Sequence, residues 1–198
     1  IDYGATIITH FTNGMPKLGH DAGTITEVAL ADDRLSLELI LDGTHIKKED
    51  TEEILALASH RSILVTDAIS AAGMPDGELT LGNVSVVVTN GVAHLKGRDL
   101  LAGSTLTMKK AYKFLMDNFK VSPIDAVAFF SSNPAKVYKL EDVGSIEVGK
   151  RANFVVVNIN NEVENVLYYN RLTIILHHPL NGRKNILKQS LTKHRLRI

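Results

Sequence analysis

Three apolar, strand-like runs in the first third of the chain each end in a polar residue that could take part in chemistry. His10 follows "IIT", His45 follows "ILDGT", and Asp67 follows "LVT". Between the second and third runs, residues 47–60 have the apolar spacing of a helix, with acidic residues in its early turns. Strands that alternate with helices predict βαβ units and a parallel sheet, whose strands can be continuously apolar because both faces are covered.

The carboxyl ends of parallel strands converge on one face of such a fold, and functional sites form there. Each polar residue also has a structural interpretation: a satisfied histidine for His10 and His45, or a helix cap or turn for Asp67. Their combination favours a site, because imidazole is a common metal ligand and a carboxylate beside a metal can act as a general base. We therefore expect His10 to be a ligand and Asp67 the base. His45 would be a substrate contact or an electrophilic stabiliser.

The remaining elements are predicted from turn and capping signals. Residues 76–97 indicate β-hairpins, because Asp-Gly, Gly-Asn and Asn-Gly pairs separate alternating runs. Residues 24–32 are compatible with a helix or an edge strand. A helix is predicted over 103–119, capped by Ser104 or Thr105, and a second helix from Pro123, with Ser122 as its N-cap. At Pro134 we expect a break or the start of a new short helix. An apolar strand is predicted within 144–160, paired with 163–170.

Composition restricts the chemistry and the partners. The chain has no cysteine, which excludes disulfides and thiol chemistry and fits a reducing cytoplasm, so any metal site must use His, Asp and Glu. No apolar run approaches the ~20 residues that span a bilayer. Residues 171–198 carry seven of the 22 basic residues and none of the 22 acidic ones. This tail lacks interleaved aromatic residues and any recognised nucleic-acid-binding module, so we expect no nucleic-acid partner. Because no apolar run is long enough to span a bilayer, we expect no membrane partner.

Six stretches, in this order, carry a resemblance to a known family: "GATIITHFTNGM", "LDGTHI", "LVTDAISAAGMPDGEL", "LAGSTLTM", "SSNPAKVYKL" and "GSIEVGKRANFVVVN". Together they closely resemble the N-acetylglucosamine-6-phosphate deacetylases, a branch of the amidohydrolase superfamily. The similarity extends from about residue 1 to 170. The ordered series T-H-x-x-N-[AG]-M, D-G-x-H, V-T-D-A and L-[AS]-G-S makes the resemblance specific, whereas "GKRAN" before an apolar strand is shared by many amidohydrolases.

The resemblance implies an α/β fold, namely the C-terminal part of a (β/α)8 TIM-type barrel of a metal-dependent hydrolase, with strands of a small β-sandwich domain. Residues 1–140 would form the end of the barrel, with its strands 6 to 8 and the following helices. Residues 141–170 would give strands of the small domain, and 171–198 a basic tail of uncertain structure. The sequence would then be the C-terminal half of a cytoplasmic, homodimeric enzyme whose other metal-binding residues, a Glu and a second His, lie upstream.

The resemblance also implies roles for individual residues. His10 matches a metal-binding histidine and Asp67 the catalytic aspartate, while the matches to substrate-binding positions are Asn13, Gly14, His45, Leu101, Ala102 and Gly103. The implied reaction is deacetylation of N-acetylglucosamine 6-phosphate with a divalent metal ion. Zinc is the expected metal, and iron or another divalent metal is the alternative. Asp67 would take a proton from metal-activated water and return one to the departing amine, which gives acetate and glucosamine 6-phosphate.

One departure from the family affects the expected substrate. Where relatives have an H-R-E-P-G-like stretch with a phosphate-binding arginine, residues 18–23 read "LGHDAG", and His20 or Asp21 falls near that position. Arginine binds phosphate bidentately, which histidine replaces only in part and aspartate opposes. Two alternatives therefore stay open: another amidohydrolase that acts on a different amide, or a truncated, non-catalytic paralogue. Because His10 alone is a poor metal site, we expect the 198 residues by themselves to be inactive.

Overall fold

The computed structural model describes residues 1–19 and 23–168 and has a three-stranded parallel sheet near its start. The strands are β1 (Ile7–Ile8), β2 (Ser36–Leu39) and β3 (Ser62–Leu64), in the order β1-β2-β3. Backbone pairing continues past the strand ends, since the N–H of Phe11 donates to the carbonyl of Glu38 at 2.7 Å. The predicted parallel sheet is confirmed, with strands shorter than the apolar runs that contain them.

Two helices cover the connections between these strands. They are α1 (Ile25–Ala31) and α2 (Lys48–Ala58). The ambiguous stretch 24–32 is a helix because Thr24 caps it: its hydroxyl accepts the backbone N–H of Glu27 at 3.3 Å. The main core lies between the sheet and the helices, and its fully buried members include Phe11, Leu37, Leu39, Ile54 and Leu115.

Three further helices follow in the second half: α3 (Met108–Asn118), α4 (Pro123–Phe130) and α5 (Ser132–Val137). The predicted start of α4 is confirmed, with the Ser122 hydroxyl accepting the N–H of Asp125 at 3.1 Å. The prediction of Ser104 or Thr105 as the cap of α3 is wrong. Thr107 caps that helix by accepting the N–H of Lys110 at 3.3 Å, because Ser104 is engaged in the pairing described below.

The hairpins predicted over 76–97 are confirmed as an antiparallel sheet of β4 (Gly77–Leu81), β5 (Val84–Thr89) and β6 (Val92–Leu95). Asp76 stabilises the β5–β6 turn, since its carboxylate accepts the backbone N–H groups of Asn90 and of Gly91. The sheet has a small apolar core of its own, formed by Ala71, Val86, Val88, Ala93 and Ala102.

The last described element is an antiparallel hairpin of β7 (Phe154–Val157) and β8 (Val163–Leu167), which confirms the predicted strand pair. Its apolar side chains are open to solvent: Val155 is 59% exposed and Val166 61% exposed. Residues 169–198, which include the basic tail, lie outside the described residues. Within the part that is described, none of the helices has the length and apolarity needed to cross a membrane.

Candidate active site

The parallel sheet brings the polar strand ends to one edge. Ile8 pairs with Leu37 and Leu39 with Leu64, so the carboxyl ends of β1, β2 and β3 lie side by side. His10, His45 and Asp67 follow these ends within a few residues. The shared edge agrees with the expectation from the sequence, and the backbone there has features that the sequence did not reveal.

The turn after β1 has an unusual backbone and unsatisfied polar atoms. His10 has a φ of +34° and Thr12 a φ of +74°, in a region that side chains with a Cβ rarely adopt. The turn is closed by the N–H of Asn13, which donates to the carbonyl of His10 at 2.9 Å. The imidazole Nδ1 of His10 and the amide Nδ2 of Asn13 are buried without a hydrogen-bond partner. Buried polar atoms are normally paired, so this turn suits a bound ligand. Gly14 follows with a φ of +67°.

Among the described residues at this edge of the sheet, one side chain offers an unpaired atom that suits a metal ion. The unpaired Nδ1 of His10 is a suitable ligand atom. Across residues 1–19 and 23–168, however, no three His, Asp or Glu side chains group together in a way that could hold a metal. Catalytic zinc takes about three protein ligands. The described residues therefore supply one candidate ligand and do not form a metal centre by themselves.

His45 is held by Asp42 at the end of β2. Its side chain is only 5% exposed, and its Nδ1 lies 2.7 Å from Oδ2 of Asp42. The other carboxylate oxygen of Asp42 accepts the backbone N–H groups of Thr44 at 2.8 Å and of His45 at 2.9 Å. Burial alone would raise the pKa of Asp42, but these hydrogen bonds stabilise the carboxylate and together keep the pKa below its ordinary value.

The lowered pKa of Asp42 predicts how the stability of the fold depends on pH. The ionised, hydrogen-bonded carboxylate of Asp42 stabilises the folded state above the ordinary aspartate pKa of ~3.9, and this stabilisation is lost as the pH falls through the lower folded value. In urea unfolding of the intact protein, Asp42→Asn should therefore lower the free energy of unfolding most above about pH 5, and the loss should become smaller in more acidic buffer. The control is Asp99→Asn, at a fully exposed carboxylate. Parallel stability curves for Asp42→Asn and the unsubstituted protein would contradict the assignment.

Asp67 follows β3 with an exposed side chain and a φ of +47°. Its conformation is fixed through its backbone, because its carbonyl accepts the N–H of Ser104 at 2.8 Å. The carbonyl of Ser104 in turn accepts the N–H of Ile69 at 2.9 Å, and its hydroxyl donates to the carbonyl of Thr66. The carboxylate is thus free to meet a ligand while the backbone that carries it is rigid.

The segment Leu101, Ala102 and Gly103 lies between the second sheet and Asp67. Leu101 bridges to His94 of β6, and the N–H of Ala102 donates to the carbonyl of Ala93 at 3.0 Å. Gly103, with a φ of +63°, passes so close to Asp67 that a Cβ there would lie 2.9 Å from the Asp67 carbonyl oxygen. The glycine is therefore needed for this segment to approach the strand end.

Gly103→Ala is expected to lower the free energy of unfolding by about 2–5 kcal/mol, because backbone strain of ~1–2 kcal/mol adds to a clash of ~1–3 kcal/mol. Gly82→Ala is the matched control: Gly82 has a φ of +58°, but nothing lies within 4 Å of its added Cβ. It should show the strain alone. Equal losses for the two variants in thermal or urea unfolding would disprove the close approach to Asp67.

Two contributors were missed at the level of sequence. Asp42 was not proposed as a partner of His45, although a spacing of three residues across a Gly-containing turn is a usable signal for such a pair. The residue type of Ser104 predicts a helix cap, and no local signal distinguishes that role from long-range pairing with Asp67. His20 and Asp21, considered as substitutes for the phosphate-binding arginine, lie outside the described residues.

Comparison with known proteins identifies the family. The chain belongs to the amidohydrolase family, which matches residues 3–177. Among individual proteins, it is similar to an N-acetylgalactosamine-6-phosphate deacetylase of Escherichia coli O157:H7, at 36% identity over 83% of this chain and 44% of the relative. A putative N-acetylgalactosamine-6-phosphate deacetylase of Escherichia coli K12 is 35% identical over 79% of this chain and 94% of that shorter protein.

A solved structure shows the same likeness in three dimensions. The crystal structure of an N-acetylglucosamine-6-phosphate deacetylase from Thermotoga maritima superposes with a TM-score of 0.80 and is 36% identical. The match covers 85% of this chain and 46% of that protein. The chain thus spans less than half the length of this enzyme and of the Escherichia coli O157:H7 relative. The α/β fold is shared with the Thermotoga maritima protein over the matched part.

Proposed function

We propose that this chain supplies the strand-end residues of an enzyme that deacetylates N-acetylglucosamine 6-phosphate to glucosamine 6-phosphate and acetate. The observation that carries the proposal is the exposed carboxylate of Asp67, borne at the carboxyl end of β3 on a backbone fixed by Ser104. Similarity to deacetylases of amino-sugar phosphates supports the reaction and the substrate class.

The proposed roles are those that the resemblance implies, and the local environments of several residues support them. His10 is a metal ligand through its unpaired imidazole nitrogen, and Asn13 offers a buried, unpaired amide to the substrate beside Gly14. His45 contacts the sugar. Leu101, Ala102 and Gly103 form the loop beside the bound sugar, since Gly103 abuts Asp67.

In this reaction Asp67 moves the proton. Its carboxylate accepts a proton from the attacking water and then donates one to the amine nitrogen as the C–N bond breaks. A divalent metal ion, with zinc as the expected metal and iron as the alternative, would polarise the carbonyl and activate the water. The buried amide of Asn13 and the rigid segment at Gly103 orient the sugar, which keeps the acetamide near Asp67.

The proposal includes the architecture of the family. Residues 1–140 would be the end of a (β/α)8 barrel, which the parallel order β1-β2-β3 supports. Residues 141–170 would belong to a small β-sandwich, which would cover the exposed apolar side chains of the β7–β8 hairpin. The proposed enzyme is a cytoplasmic homodimer, a setting that the cysteine-free sequence suits.

A second candidate substrate is N-acetylgalactosamine 6-phosphate, the C4 epimer. It is favoured by the names of the two Escherichia coli relatives, which are 36% and 35% identical to this chain. The reaction and the proposed role of Asp67 would be the same, and only the contacts to the sugar hydroxyls would differ.

The test is acetate release by the intact protein, expressed from its entire reading frame and supplied with zinc or iron. Three substrates are compared: the two 6-phosphates and unphosphorylated N-acetylglucosamine. We expect the largest kcat/KM with N-acetylglucosamine 6-phosphate. A preference for the galactose epimer would select the second candidate. A preference for the unphosphorylated sugar would match the lack of an arginine in residues 18–23 and overturn the phosphate assignment.

A further inference from the structure

The contact between Asp42 and His45 determines which nitrogen of the imidazole carries the proton. Oδ2 of Asp42 lies 2.7 Å from Nδ1 of His45, and both side chains are largely buried, at 18% and 5% exposure. A carboxylate can only accept a hydrogen bond, so Nδ1 must be the donor. A neutral imidazole has one N–H, which leaves Nε2 with a lone pair.

The other ring nitrogen remains available to a ligand. Nε2 of His45 has no hydrogen-bond partner among the described residues, and it does not belong to the buried atoms that lack partners. Nε2 is therefore not fully buried, although the side chain as a whole is only 5% exposed, and it lies at the edge of the sheet that also carries Asp67.

The turn that holds Asp42 leaves the carboxylate little freedom. Its second oxygen is occupied by two backbone N–H groups, those of Thr44 and His45. Gly43, with a φ of +79°, is packed against α3, and a Cβ there would lie 2.9 Å from the ring of Phe114. The carboxylate therefore cannot rotate to follow a flipped imidazole without breaking these bonds and shifting the turn.

We propose that Asp42 is a positioning residue that holds His45 in the Nδ1–H form, so that Nε2 accepts a hydrogen bond from a hydroxyl group of the substrate. This assignment decides between the two roles left open for His45. An electrophilic stabiliser must donate to the carbonyl oxygen, which neutral His45 cannot do from Nε2. That the hydroxyl belongs to a sugar rests on the proposed function, whereas the tautomer rests on the Asp42–His45 contact and on a neutral imidazole.

The first test reads the tautomer directly from the ring nitrogens. The intact protein is labelled with 15N-histidine, and His45→Gln identifies the signals of His45. At neutral pH we expect a protonated Nδ1 and an unprotonated Nε2. In Asp42→Asn, the amide oxygen keeps the backbone bonds and the NH2 group faces the ring, so the proton should move to Nε2. An Nε2–H form in the unsubstituted protein, or an unchanged form in Asp42→Asn, would overturn the proposal.

The matched control is Asp76→Asn. Asp76 also accepts two backbone N–H groups in a turn, those of Asn90 and Gly91, and no histidine among the described residues pairs with it. The same chemical change there should leave the His45 signals as they are. If the His45 signals also shifted in Asp76→Asn, the shift could arise from any disturbed turn and not from the contact between Asp42 and His45. The result for Asp42→Asn would then count against the proposal.

The second test separates positioning from folding. Asp42→Asn should lower kcat/KM for the intact enzyme by about 10- to 100-fold, the usual effect of losing a partner that orients a functional histidine. In the His45→Gln background the same change should have almost no further effect, because Asp42 acts through His45. Additive losses would overturn the proposal. An unsubstituted protein without deacetylase activity would instead overturn the proposed function, and the tautomer would still decide the role of Asp42.

Discussion

Replacing Asp67 with asparagine is expected to lower kcat for deacetylation by about 100- to 10,000-fold, the range typical of losing a general acid–base group. Asparagine keeps the size of the side chain and cannot take a proton from water or return one to the amine. The backbone contact between Asp67 and Ser104 does not involve the carboxylate and should survive the change. The measurement is acetate release by the intact protein at saturating substrate, together with the metal content of each sample.

The metal content separates the two possible roles of this carboxylate. Asp67→Asn should bind as much metal as the unsubstituted protein, since His10 is the proposed ligand in this part of the chain. Loss of both metal and activity would instead make Asp67 primarily a ligand. Asp99→Asn provides the control, because the Asp99 side chain is fully exposed and lies 3.9 Å from its nearest ionic partner, His94.

The second large effect is expected at Arg61, a buried cation that ties α1 to the start of β2. Its guanidinium donates to the carbonyls of Ala29 at 3.0 Å, Leu30 at 2.6 Å and Leu35 at 2.6 Å. The first two carbonyls belong to the last turn of α1, where backbone acceptors lack partners within the helix. The ion pair with Asp33 adds little, because that carboxylate is 77% exposed.

Arg61→Met should therefore lower the free energy of unfolding by about 3 kcal/mol or more, because it leaves several buried carbonyls without donors. Arg61→Lys should recover only part of this, since an ammonium group cannot reproduce the fork of the guanidinium. The control is Arg34→Met: Arg34 pairs with Asp2 and Asp32, but its side chain is 62% exposed. Urea unfolding of the intact protein measures all three variants. Similar losses for Arg61→Met and Arg34→Met would contradict the account.

The parallel sheet could be predicted because its signals are local. Apolar runs, helical spacing and turn residues alternate along residues 5–67, and each signal depends only on neighbouring residues. The grouping of His10, His45 and Asp67 at one edge then followed from the geometry of parallel strands. The N-cap at Ser122 was equally clear, because a serine stands directly before a proline at the first helical position.

What could not be predicted depends on contacts between distant segments. Ser104 and Thr107 are both good caps by type, and the pairing of Ser104 with Asp67 decides between them. Arg61 follows a polar helix end and has no local sign of burial, yet its side chain is 5% exposed. The left-handed backbone at Thr12 is likewise imposed by the surrounding fold, since a β-branched residue disfavours it.

The central claim is that the carboxyl ends of β1, β2 and β3 bind and deacetylate an amino-sugar phosphate. The most direct measurement is a crystal structure of the intact Asp67→Asn variant with N-acetylglucosamine 6-phosphate and its metal. We predict that His10 binds the metal, that the acetamide lies beside side chain 67, and that Nε2 of His45 lies ~2.7–3.2 Å from a sugar hydroxyl. A sugar bound away from these strand ends, or a metal without His10 among its ligands, would contradict the account.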